Sequence, residues 1–191
     1  MTSNAPVETR EFEQFIFETI NCDCADEKFL EKTAPLVGKV VQKFNSLERE
    51  LNSAICSMFI DDYDPMGLVV ISGRTYKQKV VLLEQLLKHD LHMTGKKDEW
   101  FDDLFRKLES AGKLRNVVVH ADWQSSEEAG NTPSQMKLKD GVLQQEFFNF
   151  TPKTLRDIIR EIDKIKRLME EFEDKTAKLM DCAERKGKRS V

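Results

Sequence analysis

From Leu155 onward the apolar side chains fall at Leu155, Ile158, Ile162, Ile165, Met169, Phe172, Thr176, Leu179 and Ala183, in alternating steps of three and four. Only an α-helix gathers such positions on one side, and a repeat of seven narrows them to a seam. Thr151 and Pro152, just ahead, supply a cap and a first-turn proline. A helix this one-sided is not stable by itself in water; its seam has to be covered. Packing within the chain's own bundle and packing against a second copy both satisfy it, and the helix is long enough to do both.

The rest of the chain supplies partners for that seam. Residues 8–20 (ETREFEQFIFETI) place Phe12, Phe15, Ile16, Thr19 and Ile20 along one stripe of a short helix, which residues 21–26 interrupt. Pro35 suits the first turn of a long core helix carrying Leu36, Val40, Phe44, Leu47, Leu51, Ala54, Ile55 and Met58. Pro65 and Gly67 in DDYDPMG read as punctuation. Ser72 and Thr75 are candidate caps for a third helix, with Val80, Leu83, Leu86 and Leu87 on its core face and an end near Lys88.

A fourth helix is expected over residues 98–123, capped by Asp98, with Trp100, Phe101, Leu104, Phe105, Leu108, Leu114 and Val118 on one broad face. Gly112 is its weak point. Glycine there costs about 1 kcal/mol relative to alanine, so it serves either a close helix contact or a bend just before Arg115. Residues 124–133 read as an exposed loop, and MKLKDGVLQQEFFNF as two short strands joined by a hairpin turn at Asp140 and Gly141. A hairpin alone is marginal in water, so this one must pack on the helices or on a partner chain.

The expected class is therefore all-α: a helical bundle of about five helices with a short β-hairpin inserted before the long C-terminal helix. The 191 residues read as a single domain over 1–191, with its core at about 35–180, a loop and hairpin over 124–151 and a flexible basic tail over 185–191.

Composition narrows the functional classes. Hydrophobic residues make up 40% of the chain, enough for a substantial core, yet they form no apolar run long enough to span a membrane. The polar start MTSNAPVETREFEQ lacks the pattern of a signal peptide, so a cytoplasmic location is expected. Cys22, Cys24, Cys56 and Cys182 are too few for a disulfide framework and read as free thiols. With 30 basic against 34 acidic side chains, the net charge of -4 gives no general attraction for a polyanion. Any contact with nucleic acid must be local, and the basic tail ERKGKRSV reads first as a solvated helix end.

One constellation has chemical potential. In AGKLRNVVVHADW, Arg115, Asn116 and His120 bring a cation, an amide and an imidazole within six residues near a helix end. Asn116 and His120 share a helical face, whereas Arg115 and His120 lie about 140° apart, so one straight helix does not aim both at a single small ligand. Two copies meeting across this helix on a two-fold axis would line one cleft with two Arg and two His, suited to an extended substrate such as RNA. The imidazole titrates near neutrality and can take the proton of a ribose 2′-hydroxyl or protonate the leaving oxygen. The Arg115 guanidinium can bind the phosphate and stabilise charge in the transition state, with Asn116 orienting the imidazole or touching phosphate. No metal or cofactor is required. The structural alternative is that Arg115 pairs with a carboxylate and His120 caps a helix end.

The same residues carry a family resemblance. Arg115, Asn116, three apolar residues and His120 match the motif of HEPN domains, and the resemblance extends over about residues 35–180. A preceding helix with the KVVLLEQLL pattern, the His-Ala-Asp-Trp segment, the hairpin and the long final helix all look like bacterial members. The resemblance implies an α-helical bundle, homodimerisation, and metal-independent endoribonuclease activity leaving a 2′,3′-cyclic phosphate, in toxin or phage-defence systems where a neutralising protein partner is expected. Arg115 and His120 would be its catalytic pair and Asn116 the polar neighbour. The same motif also occurs in non-catalytic modules that bind a protein or nucleotide, which is the alternative function.

Other clusters carry less. Cys22, Cys24, His89 and His92 number four potential zinc ligands, but their spacing is atypical; His89 and His92 are read as following a helix end, where cations are favoured. Asp61, Asp62 and Asp64 lack the pattern and closing glutamate of a calcium loop. Ser72, Gly73 and Arg74 make a turn and cap rather than a phosphate loop, and Trp100 and Trp123 read as packed aromatics.

Overall fold

The heptad seam, the Asp-Gly turn and the long apolar stripes all find their elements in the computed structural model, which describes residues 8–11, 27–59, 65–94, 99–121, 123 and 134–187. In chain order these are β1 (Glu8–Glu11), α1 (Glu27–Ser57), α2 (Pro65–Ile71), α3 (Tyr76–Thr94), α4 (Glu99–His120), β2 (Ser134–Lys139), β3 (Val142–Phe147) and α5 (Pro152–Gly187). The described residues are thus mostly helical, with five helices and an antiparallel hairpin before the last, as expected of the all-α class. The chain divides into two compact units, Met1–Gln42 with Lys113–Arg160, and Lys43–Gly112 with Glu161–Val191.

In the first unit the hairpin belongs to a three-stranded sheet of order β1-β3-β2, with β3 at its centre. β2 and β3 pair from Ser134↔Phe147 to Lys139↔Val142 across a two-residue turn, in which Asp140 and Gly141 have φ of 51° and 80°. Two consecutive positive φ angles make the type I′ turn that matches strand twist. Phe147 and Gln145 are buried on one face of β3, and on the other face Lys137 pairs with Glu146. Towards the turn the first face emerges: Met136, Leu138 and Leu143 are exposed, Leu138 by 74%.

β1 corrects an expectation. Residues 8–11 were expected to open a helix, but they form a strand antiparallel to β3, from Glu8↔Phe147 to Glu11↔Gln144. The four residues ETRE carry none of the apolar stripe that suggested a helix. What they meet instead is the free backbone edge of β3, whose donors and acceptors need partners. The stripe itself, residues 12–20, lies outside the described residues.

An aromatic ladder fills the same unit. The Phe148 and Phe150 rings stack at 5.7 Å, Trp123 stacks on Phe150 at 5.9 Å, and Phe29 lies tilted at 6.4 Å from Trp123. Directly after it α5 begins as expected: the Thr151 hydroxyl accepts the Thr154 N–H at 3.2 Å, and Pro152 occupies the first helical position.

α1 begins at Glu27, earlier than expected, so Pro35 is inside the helix and not in its first turn. The carbonyl that Pro35 leaves without a donor belongs to Glu31, and both residues are exposed, so water can serve it. Thr33, buried within the same turn, donates its hydroxyl to the Phe29 carbonyl at 2.8 Å.

The second unit holds most of the largest fully buried apolar side chains. The seam residues Ile162, Ile165, Met169 and Phe172 are buried, as are Leu47, Leu51 and Ile55 of α1 and Leu83 of α3. Each such side chain contributes about 1.5–3 kcal/mol relative to exposure. Phe172 meets Phe101 edge-on at 5.8 Å. Ion pairs flank this core, Lys43 with Asp163 at 2.7 Å, Lys79 with Glu48 at 2.7 Å and Lys166 with Glu50 at 3.1 Å. The seam's last members, Leu179 and Ala183, lie beyond the described side chains.

Three local expectations change here. Pro65 and Gly67 do not break the chain; they start and serve α2, because Pro65 takes the first helical position and Gly67 approaches α1 closely. A β-carbon at Gly67 would come within 2.9 Å of the Cys56 α-carbon and sulfur. α3 runs to Thr94, past Lys88, since no glycine or proline intervenes before Gly95. Of the two expected caps Thr75 is the one used. It receives the Gln78 N–H on its hydroxyl at 3.4 Å and donates its own N–H to the Gln78 side chain at 2.8 Å, a reciprocal capping box. Ser72 instead closes α2, donating its N–H to Leu68, with Gly73 at φ 72° behind it.

Candidate functional site

α4 carries all three residues of the Arg-Asn-x-x-x-His motif, because its helical pattern continues unbroken from Glu99 to His120 through Gly112. Gly112 makes the close contact and not the break: a β-carbon there would lie 2.9 Å from the Tyr76 ring. The last two turns are sharply sided. Leu114, Val117 and Val118 are buried, as is Ala121 just beyond, whereas Asn116 and His120 are exposed and Arg115 is half-buried. Burial of the apolar residues leaves Asn116 and His120, one turn apart, together on the open face.

Arg115 reaches that face by its length. Its Nη1 donates to the Asn116 Oδ1 at 3.0 Å, which turns the guanidinium toward its neighbour along the helix. That bond draws the Arg115 guanidinium to the residue that shares a helical face with His120. An exposed imidazole, an exposed amide and a guanidinium bonded to that amide can accept a proton, donate one, and hold an anionic oxygen.

The helix ends immediately after this face. Ala121 donates its N–H to the Val117 carbonyl at 2.9 Å, and the Trp123 indole N–H donates to the Val118 carbonyl at 3.1 Å. Trp123 thus lies beyond α4 and packs inside its unit, as the packed-aromatic reading has it. Trp100, in the other unit, stands edge-on to Phe101 at 5.2 Å with the Lys175 ammonium 4.8 Å above its ring.

The remaining sequence candidates do not join this site. His89 lies within α3, exposed, and not beyond a helix end; the His92 side chain and residues 22 and 24 fall outside the described residues. Residues 61–64 and 188–191, with the side chains of 185–187, do so too. Among the described residues, no three of His, Cys, Asp or Glu gather as a metal-ligand group, and no helix is long and apolar enough to cross a membrane. Sequence reasoning missed the Trp123–Val118 hydrogen bond, for which no local pattern exists, and the Gln78 half of the capping box, which the spacing Thr-x-x-Gln did signal.

No family model, curated protein or solved structure matches the chain.

Proposed function

We propose that this chain is a HEPN-type endoribonuclease that works as a homodimer, cleaving RNA at a composite site made of Arg115 and His120 from both copies, with Asn116 beside them. The observation that carries the proposal is the exposed face at the end of α4, where His120 and Asn116 stand one turn apart and Arg115 donates to Asn116. A histidine buried in its own core could not reach a substrate; this one is open to solvent.

In the proposed reaction, one His120 removes the proton of a ribose 2′-hydroxyl as its oxygen attacks the adjacent phosphorus. The 5′-oxygen of the next nucleotide leaves, taking a proton from the second copy's imidazole. The products are a 2′,3′-cyclic phosphate and a 5′-hydroxyl end. Arg115 holds the non-bridging oxygens through its planar fork as their charge grows. The residues supply acid, base and charge stabilisation, so the step asks for no metal. A role in a toxin or phage-defence system, held in check by a neutralising protein, goes with this family.

The experiment is incubation of wild-type protein and His120→Ala with mixed cellular RNA in a metal chelator, with analysis of fragment ends. Cleavage that leaves cyclic phosphate and vanishes in the variant supports the proposal. A folded, dimeric wild-type protein that cleaves nothing rejects it in favour of a second reading, a non-catalytic module that binds a protein or nucleotide. One observation favours that second reading: the exposed apolar end of the hairpin, with Met136, Leu138, Val142 and Leu143, is the kind of surface that proteins bury against a partner.

A further inference from the structure

We infer that Trp123 is the positioning residue for His120, acting through the Val118 carbonyl; the inference rests on the ribonuclease reading of the site. A helix leaves its last carbonyls without intrahelical donors. In α4 the Val117 carbonyl is served by the Ala121 N–H at 2.9 Å, and the next, that of Val118, accepts the Trp123 indole N–H at 3.1 Å. His120 lies between those two anchors in sequence, as the final residue of the helix. It is exposed, so packing of its own side chain does not fix it; its direction depends on the backbone that carries it.

The indole is itself held. Phe150, one residue before the α5 cap Thr151, stacks on it at 5.9 Å and 24°, and Phe29 of α1 lies against it at 6.4 Å and 33°. Both rings belong to the same compact unit as His120. Buried Val118 gives the bond its second fixed end, since the residue has no exposed surface. The carbonyl that sets the course of the last turn is thus tied to the start of α1 and the start of α5. Helix ends fray in the absence of such ties, and a misplacement of about 1 Å at a reacting group is enough to cost about a hundredfold in rate.

The test uses Trp123→Phe, which keeps an aromatic ring in the ladder, though a smaller one, and removes the N–H donor. Two readouts are taken on the full chain: steady-state cleavage of a defined single-stranded RNA in chelator, and amide hydrogen exchange of residues 117–121. The expected result is a fall in kcat of about tenfold or more with KM changed less than about threefold, because a misdirected imidazole slows chemistry without loosening RNA. Exchange at residues 119–121 should quicken while that of residues 104–114 stays as in the wild type. If Trp123→Phe does not fold, Phe150→Leu, which loosens the stack but leaves the donor, must show the same split of kcat from KM. Wild-type kcat in Trp123→Phe, with His120→Ala inactive, overturns the inference and leaves the ribonuclease reading standing. Absence of cleavage by the wild-type protein overturns that reading and the inference with it, whatever the exchange data show.

Discussion

Gly112 lies so close to Tyr76 that a β-carbon on it would come within 2.9 Å of both Cδ1 and Cε1 of the ring. The ring has little freedom to yield: its hydroxyl donates to the Leu108 carbonyl at 3.1 Å and its centroid lies 4.6 Å from that of the tilted Phe44 ring. Overpacking of this kind costs about 1–3 kcal/mol, more than the gain of about 1 kcal/mol from replacing a helical glycine with alanine. Gly112→Ala is expected to lower unfolding stability in urea by about 1 kcal/mol. Gly38→Ala, also mid-helix but with nothing within 4 Å, should raise it by about 0.5–1 kcal/mol. A more stable Gly112→Ala would mean that the ring moves aside freely.

Tyr76 also sets an alkaline limit on stability. Burial of its phenol, and secondarily the Glu48 carboxylate, raises its pKa above the ordinary value of 10. The folded state therefore keeps the proton at a pH where the unfolded chain has lost it. The resulting stability is fully present below about pH 10 and is lost as pH rises beyond it. Urea midpoints measured on either side of about pH 10 should fall more steeply for wild type than for Tyr76→Phe. Parallel curves would show that the phenol ionises in the fold without penalty.

The hairpin turn places a non-glycine residue, Asp140, at φ 51°. Aspartate and asparagine tolerate this left-handed region, whereas alanine and branched residues do so less well. Asp140→Ala should destabilise the protein by about 1 kcal/mol, and Asp140→Asn should be neutral within about 0.5 kcal/mol. Thermal unfolding followed by circular dichroism reads both.

Asn116 presents a neutral acceptor to Arg115. Making it a carboxylate would turn that bond into a charge-assisted pair and cancel the cation that the proposed mechanism offers to phosphate. On a His120→Ala background, which under the proposed mechanism binds RNA without cleaving it, Asn116→Asp is expected to weaken binding of a single-stranded RNA by about tenfold. Asn116→Ala should weaken it by less than about threefold. Equal affinities would take Arg115 out of the phosphate-binding role.

Local chemistry made several features legible in the linear chain. The α5 seam, the Thr151–Pro152 start and the Asp140–Gly141 turn each depend on residues within a few positions of one another, through helical period, a capping hydroxyl and tolerance of positive φ. The Arg115, Asn116 and His120 constellation was visible for the same reason, since one helix carries all three. Periodicity also suggested that Asn116 and His120 would share a face; that the face is open, and that Arg115 bonds to Asn116, depended on which side of α4 was buried.

The features that the linear chain misled on, left open or did not show depend on partners distant in sequence. Residues 8–11 become a strand because β3, more than 130 positions away, offers them an edge. Gly67 and Gly112 carry the same residue type that marks breaks elsewhere, but each instead admits a neighbour, Cys56 or Tyr76, that no local pattern reveals. Trp123 holds the end of α4 through rings brought to it from Phe29 and Phe150. The sequence by itself determined that the long segments α1, α3, α4 and α5 would be helical and which side of each would be apolar, because backbone hydrogen bonds and side-chain periodicity act over a few residues. Only the tertiary structure decided where those helices stop and which of their polar residues stay open to solvent, because both depend on packing between segments far apart in the chain.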